Sequence, residues 1–181
     1  MTEGRGPTRE ELVRLLLESG AVRFGEFTLA SGEKSDVYID VKKAWTRPDR
    51  LATMGRALAA RAGTEPRLAG MELGAVPLVV AVALETGRPY AVLRKAPKEH
   101  GTRQAFEGEI PKGERVLLIE DVTTTGGSSI RSLEIVRAAG GVVDRVLAVV
   151  DRESGATERL AAAGARLETL LTMAELRGGR S

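Results

Sequence analysis

From residue 67 onward, short apolar runs alternate with segments of helical spacing. The apolar runs have the length and β-branched content of buried strands, and they span residues 67–71, 90–94, 115–120, 142–150 and 166–170. Helical spacing predicts helices over residues 77–86, 127–139 and 153–163. This alternation is typical of βαβ units, and it predicts an α/β fold in which a central parallel sheet is covered by helices on both faces.

The first 62 residues follow a different pattern. Thr8 and Glu11 match a capping box, which predicts a helix that ends near Ser19. Pro48 predicts the start of a second helix, which extends to about residue 62. Between the two helices, apolar segments predict short strands at 22–24, 27–29 and 37–41, with a turn at 31–34.

An acidic pair and a hydroxyl-rich loop follow the apolar residues 116–119. Glu120 and Asp121 come first, and a run of threonine, glycine and serine then leads into a predicted helix. Backbone N–H groups of such a loop and of the first helical turn bind phosphate, and glycine lets the backbone approach the anion closely. The two acids suit a neighbouring diol such as ribose. The segment therefore predicts a site for a phosphorylated sugar.

Other interpretations of this loop are weaker. A Gly/Thr turn after a parallel strand can serve packing alone, but the paired acids and the three threonines favour binding. The G-x-x-x-x-G-K-[ST] spacing of nucleotide triphosphatases is absent, and so is the G-x-G-x-x-G spacing of dinucleotide sites.

A long cationic segment lies between the strands predicted at 90–94 and 115–120. The basic residues of its first part, residues 94–103, are Arg94, Lys95, Lys98 and Arg103, together with His100. A loop of about twenty residues inside a compact domain is usually functional or disordered. We interpret it as a lid that closes over an anion, because it lies next to the predicted phosphate loop. A solvated basic hairpin is the alternative.

Two further strand ends have candidate binding residues. The turn at 72–77 can present N–H groups to a second anion, although an ordinary helix start is at least as compatible. Arg152 comes shortly after the apolar run at 146–150, and its planar guanidinium suits a carboxylate, although an ordinary surface arginine is the alternative. Ligands of parallel α/β sheets bind beyond the carboxyl ends of the strands, so we expect these segments to converge.

The amino-acid composition excludes several classes of function for this chain. The 27 basic and 25 acidic residues nearly cancel, so no general nucleic-acid or membrane surface is indicated. Cysteine is absent and there is one histidine, which excludes disulfides, cysteine nucleophiles and histidine-rich metal sites. The first residues lack the apolar core of a signal peptide, and no stretch approaches a membrane span, so we expect a cytoplasmic enzyme.

The segment 120–128, EDVTTTGGS, resembles the phosphoribosyl pyrophosphate (PRPP) motif of the type I phosphoribosyltransferases. Together with segments 27–32, 94–101 and 151–152, it is similar to orotate phosphoribosyltransferases in particular, in order and spacing over nearly the whole chain. The resemblance implies the single-domain type I phosphoribosyltransferase fold. It also implies a small N-terminal hood over approximately 1–45 and a core over approximately 46–176.

The implied reaction joins N1 of orotate to C1 of the PRPP ribose, which gives orotidine 5′-monophosphate and pyrophosphate in de novo pyrimidine (UMP) biosynthesis. Magnesium is the implied cofactor, held mainly by pyrophosphate and water, with no protein ligand assigned. The implied partners are PRPP, orotate and a second copy of the chain, in a homodimer that shares lid residues across subunits. The alternatives are a transferase for a purine or uracil, and a PRPP-sensing regulator with the same fold.

The resemblance implies a role for each matching residue. Lys98, His100 and Asp121 are the implied catalytic residues, and Thr124 and Arg152 are implied to contact orotate. The implied PRPP-binding residues are Arg94, Lys95, Lys98, His100, Glu120, Asp121, Val122, Thr123, Thr124, Thr125, Gly126, Gly127 and Ser128.

The chain departs from many bacterial relatives at two positions. Those relatives have lysine where this chain has Ala30, and another lysine where the turn at 72–76, the implied pyrophosphate loop, has Gly74. Two phosphate contacts are therefore missing or replaced, which we interpret as a subfamily difference rather than lost activity. Residues around Tyr38 and Ile39 are implied to form the hood over the base.

Overall fold

The computed structural model describes residues 6–28, 34–96 and 104–179. The strands in these ranges are β1 (Val22–Thr28), β2 (Lys34–Ile39), β3 (Arg67–Met71), β4 (Tyr90–Leu93), β5 (Phe106–Glu107), β6 (Val116–Thr123), β7 (Arg145–Asp151) and β8 (Arg166–Thr172). The helices are α1 (Arg9–Glu18), α2 (Lys42–Trp45), α3 (Pro48–Ala59), α4 (Val76–Thr86), α5 (Gly127–Ala138), α6 (Ala156–Ala162) and α7 (Met173–Gly178).

Six of the strands form one sheet in the order β5-β4-β3-β6-β7-β8. Neighbouring strands are parallel except β4 and β5, which run antiparallel. The carboxyl ends of β3, β4, β6 and β7 therefore meet at the same edge. The predicted α/β fold with a central parallel sheet is confirmed.

Alternate residues of β6 pack into two separate apolar layers. Leu117 and Ile119 cluster with residues of α1, α3, α4 and α7, whereas Val116 and Leu118 cluster with residues of α5 and α6. Successive side chains of a strand point to opposite faces, so helices cover the sheet on both sides. This double cover holds the strand ends in fixed positions.

The central strand β6 is longer than the apolar run that predicts it. The strand continues to Thr123, which pairs with Asp151 of β7. Glu120 and Asp121 are therefore both strand residues, and the strand predicted at 115–120 extends three residues further than expected. Backbone pairing with β7 outweighs the low strand preference of the two acids.

The other element bounds differ by a few residues. The strand predicted at 142–150 begins at Arg145, and the helix predicted at 153–163 begins at Ala156 because residues 153–155 form a turn. The short elements α2, β5 and α7 have no counterpart among the predicted elements. Within the described ranges, no helix has the length and apolar character needed to cross a membrane.

The two remaining strands, β1 and β2, form a separate antiparallel sheet, the hood. The strands predicted at 22–24 and 27–29 are one continuous strand, with a register shift between Phe24 and Phe27. Gly25 lies at this shift with a φ of 152°, a conformation that favours glycine. β2 begins at Lys34, inside the predicted turn, and the rest of that turn lies outside the described residues.

The helix α7 fixes the hood to the core. The Arg177 guanidinium donates two hydrogen bonds to the Asp36 carboxylate of β2, at 2.5 and 2.8 Å. α7 begins with a capping box between Thr172 and Glu175, and Arg9 of α1 pairs with the same glutamate. The capping-box spacing is visible in the sequence and could have predicted this helix.

A buried ion pair lies at the opposite edge of the sheet, at the start of β7. Arg145 donates to the two carboxylate oxygens of Glu65 at 2.8 Å each, and both side chains are less exposed than a tenth. Burial raises the pKa of Glu65, but the hydrogen bonds from Arg145 outweigh it and keep the pKa below its ordinary value. The pair therefore stabilises the fold away from the carboxyl edge.

We expect Glu65→Ala to lower the free energy of unfolding by about 3–5 kcal/mol, because it leaves the buried Arg145 guanidinium without its main partner. Urea titration measures this change. The matched control is Glu134→Ala on the exposed face of α5, where a change within about 0.5 kcal/mol is expected. Equal effects of the two substitutions would contradict a structural role for the ion pair.

Candidate active site

Four polar segments lie together at the carboxyl edge of the sheet. They are residues 72–75 after β3, 94–96 after β4, 124–126 after β6 and 152–155 after β7. The Glu72 N–H donates to the Leu93 carbonyl at 2.8 Å, and the Arg152 N–H donates to the Thr123 carbonyl at 2.9 Å. The predicted convergence of these segments is confirmed.

The phosphate loop, residues 124–126, connects β6 to α5. Gly126 has a φ of 76° and stands at the N-terminus of α5, where no described side chain caps the helix. The first N–H groups of the helix are therefore left for an anion. Thr124, Thr125 and Ser128 are exposed beside them, and their hydroxyls can donate further hydrogen bonds.

Residues of α6 fix the shape of this loop. Arg159 donates a hydrogen bond to the Thr125 carbonyl at 2.8 Å. A Cβ on Gly126 would lie 3.4 Å from Ala156, so the helix start of α6 also lies close to the loop. The loop is therefore held in place before any ligand arrives.

Glu120 and Asp121 lie side by side in β6, next to the loop. Glu120 is buried, and it accepts hydrogen bonds from the Ser129 hydroxyl and the Asp121 N–H, both at 3.3 Å. Burial, followed by the charge of Asp121, raises the pKa of Glu120 to about 8. At neutral pH Glu120 therefore holds a proton, and it can donate to a ribose oxygen as well as accept from a hydroxyl.

Two residues assigned to PRPP binding lie in the strand rather than in the loop. The Val122 N–H donates to the Asp121 carboxylate at 2.9 Å. The Thr123 hydroxyl donates to the Asp151 carboxylate at 3.2 Å, and this threonine is buried. Their contacts tie β6 to its surroundings, and their contact with PRPP stays a prediction.

The start of the cationic segment is firmly anchored. The Lys95 N–H donates to the Glu72 carboxylate at 2.8 Å, and Arg131 of α5 donates to the Lys95 carbonyl. The Arg94 guanidinium donates to Glu107 at 3.0 Å. Lys98 and His100, the predicted catalytic residues of the lid, lie outside the described residues, as does Ala30.

The turn after β7 presents Arg152 to the same edge. No described residue pairs with its guanidinium, whereas the backbone around it is fixed. Glu153 has a φ of 56°, which is rare for a residue with a side chain. Its N–H donates to Asp151 at 2.9 Å, and its carboxylate accepts from the Ala174 N–H at 2.8 Å. No sequence motif had indicated a role for Glu153.

Comparison with known proteins identifies the family. The phosphoribosyl transferase domain family matches residues 49–163. The orotate phosphoribosyltransferase of Methanoculleus marisnigri is 51% identical over 168 residues, which cover 93% of this chain and 98% of that protein. The chain belongs to the orotate phosphoribosyltransferase family.

Solved structures of this family have the same fold. The Mycobacterium tuberculosis orotate phosphoribosyltransferase in complex with PRPP superposes with a TM-score of 0.79 at 34% identity, covering 94% of this chain and 99% of the other. The UMP synthase of Leishmania donovani superposes with a TM-score of 0.83 at 32% identity. That protein is longer: the match covers 96% of this chain and 38% of the UMP synthase.

In this orotate phosphoribosyltransferase, packing against Asp121 explains why position 74 is a glycine. A Cβ at this position would overlap the Asp121 carboxylate, which lies directly against the turn at 72–75. A lysine here would displace Asp121 or the turn. The absence of lysine at position 74 is therefore coupled to the place that Asp121 occupies.

Glu120→Gln is expected to stabilise the protein at about pH 9 and to have little effect at about pH 5. The pKa of Glu120 is about 8 in the folded protein against an ordinary 4.5, so the folded state keeps a proton that the unfolded state releases between these values. Stability contributed by this group therefore falls as the pH rises through that interval, and glutamine removes the loss.

Thermal melting of the two proteins across this pH range measures the effect. Glu134→Gln on the exposed face of α5 is the matched control, and its melting difference should not depend on pH. A difference for Glu120→Gln that is constant with pH would contradict the raised pKa.

Proposed function

We propose that this enzyme transfers the 5-phosphoribosyl group of PRPP to N1 of orotate, which yields orotidine 5′-monophosphate and pyrophosphate in the route to UMP. One observation carries the proposal: a phosphate loop, a carboxyl pair and Arg152, whose guanidinium has no partner among the described residues, meet at a single sheet edge. The named relatives, which match almost the entire chain, support orotate as the base.

PRPP fits the order of groups along this edge. Its 5′-phosphate would bind the loop at 124–126 and the first turn of α5, and its ribose hydroxyls would bind Glu120 and Asp121. Arg152 follows β7, the strand next to β6, and its guanidinium suits the carboxylate of orotate. Thr124, the first residue of the loop, would contact both ligands.

The chemistry requires no nucleophilic side chain. When the C1–O bond of PRPP breaks, positive charge develops on the ribose and negative charge on the departing pyrophosphate. Positioning of the two substrates and stabilisation of the leaving charge would supply the catalysis. Lys98 is our first choice for the electrostatic role, with Arg94, Lys95 and His100 assisting, and Asp121 would support the ribose.

The lid has a second task, which is to keep water away from the reactive C1 atom. The anchors of Lys95, from Glu72 on one side and Arg131 on the other, support this role because they fix the point from which the segment extends. A lid that closes from a fixed base can exclude water without loss of substrate alignment.

Magnesium is the proposed cofactor. No cluster of three or more metal-ligating side chains occurs in the described part of the chain. Hard carboxylate oxygens do stand at the edge, since Asp121 borders the turn at 72–75. This donor chemistry would fit a hydrated Mg²⁺ held mainly by pyrophosphate and water, to which Asp121 would offer acceptor oxygens. The bound ion would neutralise part of the pyrophosphate charge.

A homodimer is also part of the proposal, and an apolar stripe supports it. Leu73, Pro77, Val80 and Leu84 recur at helical spacing along α4 and the turn before it. Leu73 is 65% exposed and Leu84 is 81% exposed, which is unusual for leucine. Leu73 belongs to the turn at 72–75, so a second copy packed here would lie beside the site, and its lid could reach across.

The cytoplasmic location stays a prediction.

Each of the two alternative functions would require a feature other than those described. A purine or uracil offers no carboxylate to Arg152, and the 51% identity to a named orotate enzyme favours orotate. A regulator that binds nucleic acid would need a basic face, whereas the 27 basic and 25 acidic residues nearly cancel.

A direct assay tests the proposal. Protein, magnesium, PRPP and orotate are mixed, and the loss of orotate absorbance is followed. Parallel reactions with uracil, adenine and hypoxanthine test the other bases. Consumption of one of those bases without consumption of orotate would refute the proposed specificity.

We expect Lys98→Ala to lower kcat by about 10²–10³-fold with a much smaller change in the KM for PRPP, because an electrostatic donor to the transition state is removed. Steady-state kinetics measure both constants. Lys112→Ala, at an exposed lysine after β5, is the control and should leave kcat unchanged. Turnover of Lys98→Ala close to that of the control would exclude Lys98 from the mechanism.

We expect Arg152→Ala to raise the KM for orotate by about 10–100-fold, because a charge-assisted hydrogen bond to the carboxylate is lost. The KM for PRPP should stay near its original value. Arg56→Ala, at an exposed arginine of α3, is the matched control. Equal weakening of PRPP and orotate would show that the carboxylate assignment is incorrect.

A further inference from the structure

The backbone on the N-terminal side of Arg152 is fixed by hydrogen bonds to β6. The Arg152 N–H donates to the Thr123 carbonyl at 2.9 Å. Asp151, the last residue of β7, is buried, and its carboxylate accepts from the Thr123 hydroxyl at 3.2 Å and from the Glu153 N–H at 2.9 Å. The turn at 152–155 therefore leaves the sheet from a fixed position.

Glu153, on the other side of Arg152, has a left-handed backbone conformation. Its φ is 56°, a value that glycine adopts without strain and that a residue with a Cβ rarely adopts. Such conformations persist only where surrounding contacts hold them, and they are concentrated at functional sites. A glutamate at this position therefore indicates that its side chain makes a contact that glycine could not make.

The contact of Glu153 is with the start of α7. Its carboxylate accepts from the Ala174 N–H at 2.8 Å. Ala174 lies in the first turn of α7, where N–H groups have no acceptor within the helix. The Thr172 hydroxyl accepts from the Glu175 N–H in the same turn, and Glu153 supplies the acceptor for Ala174. The charged acceptor strengthens this bond, which ties the turn at 152–155 to α7.

The helix α7 is a fixed point for this bond. Met173 and Leu176 are buried in the apolar layer on one face of the sheet. The two hydrogen bonds from Arg177 to Asp36 connect the same helix to the hood. Glu153 therefore attaches the turn to an element that is itself held by the core and by the hood.

Arg152 lies between these two attachments. The backbone conformation of a residue sets the direction in which its side chain leaves the main chain, so constraints on both neighbours limit where the guanidinium can reach. An arginine loses rotamer freedom when it binds a carboxylate, and a backbone that is already fixed reduces the cost of ordering the group.

We infer that Glu153 is a positioning residue for Arg152, an inference that rests on the proposed function, in which Arg152 binds the orotate carboxylate. Glu153 acts through its bond to α7 and its left-handed conformation, without contact with the substrate. Its effect should be confined to orotate, because other contacts hold the phosphate loop, among them the bond from Arg159 to the Thr125 carbonyl.

Glu153→Asn tests the inference, because asparagine tolerates a positive φ better than most residues but is too short to reach Ala174. We expect kcat/KM for orotate at saturating PRPP to fall about 5–10-fold, with the calorimetric Kd for PRPP in magnesium changed less than about twofold. Glu153→Gln keeps an acceptor oxygen at the same reach and should retain kcat/KM within about threefold. Glu134→Asn on α5 is the matched control for an exposed glutamate.

The same substitution in an Arg152→Ala protein separates positioning from a general structural role. With the arginine absent, Glu153→Asn should lower kcat/KM for orotate by less than about twofold, because the residue through which it acts is gone. A full additional loss, as general destabilisation would also cause, would overturn the inference.

Two further results would contradict this role of Glu153. They are an unchanged kcat/KM in the single Glu153→Asn variant, and a loss in Glu153→Gln as large as that in Glu153→Asn. Failure of the unaltered protein to consume orotate would instead refute the proposed function itself, which separates the two results.

Discussion

Two adjacent carboxyl groups at the centre of one sheet edge impose the main constraint on this structure. Glu120 is buried with few hydrogen-bond partners, and the neighbouring Asp121 charge raises its pKa to about 8. Such a pair is unfavourable in the absence of ligand, and strongly shifted pKa values of this kind are typical of functional sites. Neighbouring residues accommodate the two carboxyl groups. Gly74 has no side chain and leaves space for the Asp121 carboxylate, and the Ser129 hydroxyl donates a hydrogen bond to Glu120.

Long-range hydrogen bonds connect the segments that surround this pair. Glu72 and Arg131 hold Lys95 from two elements, so the base of the lid is joined to both the turn after β3 and the helix that starts at the phosphate loop. Arg159 joins α6 to that same loop. The site is therefore built on rigid elements, which keeps distances constant between groups that are far apart in the sequence.

Apolar periodicity was sufficient to predict the parallel sheet and most helices, because burial on both faces leaves continuous apolar strands. It could not predict the end of β6, since pairing with β7 extends the strand through two acids that have no apolar signal. The loop at 124–126 could be predicted because glycine and threonine are required there by local chemistry. The hydrogen-bond partners of Lys95 and Glu153 could not be predicted from the sequence. These bonds join residues that are 21 to 36 positions apart, and their charged residues belong to no motif.

The bond between Arg177 and Asp36 affects how the enzyme is assembled during synthesis. These residues are separated by 141 positions, and contacts between distant segments form late because a long loop must close first. On the ribosome, β3 to β7 can emerge before α7, so a nascent chain can pair these strands while the hood still lacks this anchor. The contact between Arg177 and Asp36 is thus among the last that the newly made polypeptide can form.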